Sequence, residues 1–177
     1  MAFVETAAGE GTNYERVFAH RPKAYAAWQA LNGAIKETMD ARRYELATVA
    51  AARRLRSSYC TLAHGSVLRE RFLDDDALRA LVADHRDAGL DEVDVAVMDL
   101  AEKVVDDATM ITRADVDRLR AAGLSDDAIV DVVLAAAARC FFSKTLDALG
   151  VQPDASYRKL DPELRDALTV GRPIADA

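Results

Sequence analysis

The sequence has only four prolines and eight glycines in 177 residues. So few breakers, in a chain rich in alanine and leucine, exclude a turn-dense strand architecture and favour helices. Two cysteines are too few for a disulfide scaffold, and read as free thiols. No lysine- or arginine-rich tract occurs: 23 basic against 30 acidic residues leave a formal charge of −7. The pairs Arg42–Arg43 and Arg53–Arg54 stand isolated among apolar residues. Nucleic acids and anionic membranes both need a dense basic face, so neither is an expected partner. No apolar run approaches the length of a membrane span, and "IVDVVLAAAA" is short and carries Asp131. The opening "MAFVETAAGEG" lacks the basic region and apolar stretch of a signal peptide. The expectation is a soluble, cytoplasmic protein.

What is present is a core. Hydrophobic residues make up 51% and charged residues 30%, enough for a folded chain without staples. One domain is expected over 1–177, with N-terminal helices in 1–39, a motif-bearing core in 40–150 and a tail in 151–177. "NYERVFAH" reads as a short helix stopped by Pro22. "PKAYAAWQALNGAIKETM" starts with proline in its first turn, where a missing N–H costs nothing. "DARRYELATVAAARRL" has Asp40 as N-cap. "DDDALRALVADHRDAG" opens on acids and closes on His85, Arg86 and Gly89, matching the helix dipole at both ends. Val93, Ala96, Val97, Leu100, Ala101, Val104 and Val105 repeat with helical period. Thr112 and Asp115 form a capping-box pattern. A last helix runs from the Ser125 cap to Gly150. It is apolar nearly all round from Ile129 to Phe142, which predicts a central, buried element. The fold class is all-α, with about seven to nine helices.

Chemistry concentrates in "SSYCTLAHG", residues 57–65. Ser57 is an N-cap candidate, which puts Cys60 in the first turn of a helix, where free N–H groups and the dipole favour a thiolate. His64 follows one turn later on the same face, an imidazole able to take or hold the thiol proton. The stripe continues through Ala63, Val67 and Leu68, so it points inward. Two core residues at helical spacing are the plain alternative. A zinc site needs three or four ligands, and neither His20 nor His85 brings a second at recognisable spacing. Glu45, fifteen residues before Cys60, stands at the edge of an apolar face with Leu46, Val49 and Ala52. A carboxylate there needs a partner, and a helical hairpin brings it back toward His64. Tyr59 adjoins Cys60 and reads either as pocket lining or as core. Tyr25 and Trp28 read as core or subunit contact, and His20 as a loop residue without a partner. Asp74–Asp76 and Asp126–Asp127 read as helix starts rather than metal ligands.

"YELATVAAARRLRSSYCTLAHGSVLRERFLDDDALRAL" resembles the carboxymuconolactone decarboxylase and alkylhydroperoxidase D (AhpD-like) superfamily, in its peroxidase-related branch. That family carries Glu, then Cys-x-x-Cys, then His four residues after the second Cys. Glu45, Cys60 and His64 match three of those positions. "FVETAAGEGTNYERVFAHRPKAYAAW" and "LRAAGLSDDAIVDVVLAAAARCFFSKTLDALGV" extend the likeness over most of residues 3–152. The family's first motif cysteine falls on Ser57, which forms no disulfide, so the resemblance keeps a nucleophile and loses its resolving thiol.

The resemblance implies an AhpD-like helical bundle and a thiol-dependent peroxidase with peroxiredoxin-type antioxidant activity. Cys60 would attack the peroxide, His64 and Glu45 would handle its proton, and Ser57 and Tyr59 would support the site. An external thiol would be the reductant, because Cys140 reads as a packing residue. No cofactor and no metal are implied. The partners are a small peroxide and other copies of the chain, as a trimer or larger homo-oligomer. Two other readings keep the fold. One is a decarboxylase-like acid–base enzyme working through Glu45 and His64. The other is a non-catalytic oligomeric binding protein.

Overall fold

Local sequence sets where the helices begin. Thr12 accepts from the Glu15 N–H while the Glu15 carboxylate accepts from the Thr12 N–H, starting α1 (Asn13–Phe18). Pro22 opens α2 (Pro22–Thr38). Asp40, Asp74 and Asp91 cap α3 (Ala41–Arg54), α5 (Asp75–Ala83) and α6 (Glu92–Asp107). The Asp115 carboxylate accepts from the Thr112 N–H at the start of α7 (Arg113–Ala121). Ser125 and Asp161 cap α8 (Asp126–Ala148) and α9 (Pro162–Leu168). Each such cap contributes typically about 1 kcal/mol. The remaining helix, α4, is Ser58–Arg71. The computed structural model describes residues 2–6 and 10–176. Met1, residues 7–9 and Ala177 lie outside the described residues, and with them part of the opening stretch read above. Among the described residues there are nine α-helices and no strand, the all-α architecture expected. None of these helices is long and apolar enough to cross a membrane.

The central helix is α3, not α8. Every residue from Tyr44 to Ala52 is buried, and α4, α6 and α8 pack around it. Ala47, Ala50, Ala51 and Ala52 keep its surface low, so neighbours approach from every side. Leu46 and Val49 fill the remaining space, each worth about 1.5–3 kcal/mol of burial. At the start of α3, Arg42 and Arg43 both pair with the buried Asp94 of α6.

Two expectations need correction. The closing helix buries Ile129, Val132, Ala135, Ala136 and Phe142 but exposes Val130, Val133, Leu134 and Phe141. Its packing partners α2, α3, α6 and α7 cover only part of its circumference, so an apolar stripe stays open. The helix expected to reach His85 and Arg86 stops at Ala83, with Asp84 as C-cap. His85 turns inward instead, 1% exposed, with Nε2 3.0 Å from Asp99 of α6. The bond to α6 competes with continuation of the helix.

The tail lies on its own chain. Leu164 and Leu168 of α9 are fully buried against α4 and α5. The Gly171 N–H donates to Ser58 Oγ at 2.7 Å. A Cβ on Gly171 would collide with the Arg56 carbonyl oxygen, which is backbone and cannot step aside. Gly171→Ala is therefore expected to destabilise the protein by about 1–3 kcal/mol. Denaturant unfolding measures the loss, and limited proteolysis should cut first beyond α9.

Candidate active site

The turn between α3 and α4 aims the motif. Leu55 ends α3, and Arg56 adopts a left-handed backbone at φ 55. The chain reverses there, and α4 starts with Ser57 as its cap residue. The Ser57 side chain makes no capping bond and is fully buried beside Asp147. Its backbone does the work: N–H to the Ala52 carbonyl, and C=O to the Thr61 N–H. Cys60 is the third residue of α4 and is 1% exposed.

The hairpin brings Glu45 to His64. His64 Nδ1 lies 2.5 Å from Glu45 Oε2. A carboxylate only accepts, so Nδ1 carries the proton in this pair and Nε2 keeps its lone pair. Glu45 is buried in α3, so the imidazole answers its need for a partner. Burial, and then the charge of Arg139, push the His64 imidazolium down to about 4, against the pull of Glu45. His64 is a neutral base at neutral pH.

The sulfur has a different neighbour. Among the described residues no hydrogen bond joins Cys60 to His64. Arg139 Nη1, from α8, donates to Cys60 Sγ at 3.5 Å. Arg139 Nη2 donates to Tyr44 Oη at 3.4 Å, and the Tyr44 hydroxyl donates to Asn32 Oδ1 at 2.6 Å. Arg139 is 2% exposed. Burial works against its charge; Cys60 and then Tyr44 act for it, and the balance lies above the ordinary arginine value.

Cys60, His64 and Arg139 line one cavity of about 120 Å³. Its walls are aromatic: Tyr14, Trp28, Tyr59 and Phe142. Trp28 stacks on Phe142 with centroids 4.2 Å apart, and Tyr14 meets Tyr59 edge-on at 5.5 Å. Tyr59 is both lining and core, and its hydroxyl donates to Asp154 of the tail. Cys140 is half-buried and does not line the cavity. His20 does have a partner, since its Nε2 lies 2.7 Å from the Glu5 carbonyl.

Sequence reasoning missed Arg139, Tyr44 and Asn32. One signal was available: Arg139 is the only charged residue between Asp131 and Lys144. A lone arginine in an apolar helix is a polar group awaiting a buried partner. Tyr44 and Asn32 carried no such signal.

No protein-family model and no curated protein matches this sequence. Solved structures do match. An alkylhydroperoxidase AhpD core, an uncharacterized peroxidase-related protein from Ralstonia eutropha JMP134, is 23% identical with a TM-score of 0.76. That match covers 93% of this chain and 85% of the other. An uncharacterized peroxidase-related protein from Silicibacter sp. TM1040 is 23% identical with a TM-score of 0.77, over 84% of this chain and 79% of the other. A debrominase solved with 2,3,4-tribromopyrrole is 14% identical with a TM-score of 0.69, over 85% and 78%. The chain has the AhpD-like helical fold.

The His64 environment has a consequence for stability. The unfolded chain protonates this imidazole near its ordinary value of 6.5, the folded chain only near 4. Between those values the unfolded state binds more protons, so stability falls as pH drops through that window. In His64→Gln this component is absent, and the acid loss between pH 6.5 and 4 should be smaller than in wild type. Urea unfolding at a series of pH values measures the difference.

Proposed function

We propose that the protein is an AhpD-like, one-cysteine thiol peroxidase. The observation that carries the reading is a single cavity lined by a thiol and by an imidazole held on a buried carboxylate. The Cys60 sulfur attacks the terminal oxygen of a hydroperoxide. An S–O bond forms, the O–O bond breaks, and the remaining oxygen leaves as alcohol or water. His64 Nε2 takes the thiol proton and returns it to the leaving oxygen, with Glu45 stabilising the imidazolium in between. Cys60 is left as a sulfenic acid. Ser57 cannot resolve it, so one external thiol condenses with it, releasing water. A second external thiol then frees Cys60 and leaves as the disulfide. The cytoplasm, which supplies reduced thiols, is the matching compartment.

The size of the cavity favours a compact substrate. About 120 Å³ is well below the ~300–1,000 Å³ of pockets that take drug-sized ligands. The peroxidase reading is supported over a decarboxylase-like one by the position of Cys60 on the same cavity as His64. A homo-oligomer belongs to the proposal, and the uncovered stripe of Val130, Val133, Leu134 and Phe141 is the face it would bury. Leu134→Asp should then lower the assembly size in sedimentation.

The test is consumption of hydrogen peroxide and of a short alkyl hydroperoxide with dithiothreitol as reductant. Cys140→Ser should keep the activity and Cys60→Ser abolish it. His64→Ala should lower turnover by about 10²-fold or more. Unchanged turnover in Cys60→Ser would overturn the reading. Acid–base activity on a lactone acid surviving in Cys60→Ser would favour the decarboxylase chemistry.

A further inference from the structure

Arg139 takes no part in the steps above, yet it is the group bonded to the sulfur. A guanidinium keeps its proton in proteins, so its charge is permanent. A permanent buried charge needs an anion or several well-placed acceptors. Among the described residues no carboxylate pairs with Arg139. Its two bonds go to Cys60 Sγ at 3.5 Å and Tyr44 Oη at 3.4 Å, and Nε has no partner. Tyr44 is fixed as an acceptor there, because its own proton goes to Asn32. Glu45, the acid of the site, is engaged by His64. Arg139 Cζ also stands 5.5 Å from the centre of the Phe142 ring, which carries no formal charge. Of the two groups that Arg139 is hydrogen-bonded to, the thiol loses a proton more readily than the phenol.

We propose that Arg139 is a catalytic residue, the fixed counter-ion of a Cys60 thiolate. The motif alone gives that role to His64. In the structure the two tasks are divided between helices: α8 supplies the charge that holds the sulfur anionic, and α4 with α3 supplies the base that moves the proton. During attack the thiolate electron pair forms the S–O bond and the O–O bond breaks. The leaving oxygen takes up a solvent proton relayed by His64 Nε2, and Arg139 exchanges no proton at any point. The proposal rests on the peroxidase reading for what the thiolate does, not for its existence.

The experiment is alkylation of Cys60 by iodoacetamide at neutral pH, with Cys140→Ser as the parent chain. Arg139→Met should slow it by about tenfold or more, and Arg139→Lys should recover it to within about threefold of the parent. Equal rates in Arg139→Met and the parent overturn the proposal, and so does a lysine variant as slow as the methionine one. Should Arg139→Met fail to fold, the ultraviolet thiolate absorbance of the parent minus that of Cys60→Ser decides. One thiolate per chain at neutral pH supports the proposal, and none overturns it. Peroxide consumption by the parent is measured alongside. A thiolate without turnover leaves Arg139 in its role and removes the peroxidase reading. Turnover with alkylation indifferent to Arg139 does the reverse.

Discussion

The burial of α3 on all sides is the constraint from which the rest follows. A helix enclosed by three others must present small side chains, and its alanines satisfy that from Ala47 to Ala52. Within that enclosed helix sits one carboxylate, Glu45. It cannot reach water, so the neighbouring helix must bring it a donor. The left-handed Arg56 turn sets the angle at which α4 returns, and His64 arrives at Glu45 as a result. Packing, backbone geometry and a polar requirement thus meet at one pair of side chains.

The cavity beside that pair is electrically arranged rather than merely polar. One negative group, Glu45, and one positive group, Arg139, stand on different helices. The neutral imidazole and the sulfur lie on a third. Aromatic rings form the walls around them, and a low-dielectric wall strengthens the interactions inside. The Arg139 charge opposes protonation of His64, and its Nη1 is bonded to the Cys60 sulfur.

The solved neighbours share this arrangement of helices at 14–23% identity, and one of them is a debrominase. The fold therefore tolerates extensive replacement of side chains, and the fold alone assigns no chemistry. At the site itself this chain carries Ser57, where the motif it resembles has its first cysteine, and Arg139, placed against the Cys60 sulfur.

The helices, their caps and the Glu45–Cys60–His64 spacing were legible in the sequence, because each depends on residues within a turn or two. Asp40, Ser125 and the Thr112–Asp115 pair act through bonds three residues long, and periodicity shows a helix wherever it lies. Arg139 was missed, although an isolated charge in an apolar helix was there as its signal. The sequence pointed to the wrong helix as the enclosed one, α8, since α3 and α8 are both alanine-rich. Only their neighbours decided that α3 is surrounded and that α8 keeps one face uncovered. Tertiary structure also took His85 out of its helix and folded the tail over α4. It set Arg139 against a sulfur 79 residues away. Contacts over such separations depend on how whole helices pack, and no local pattern encodes that.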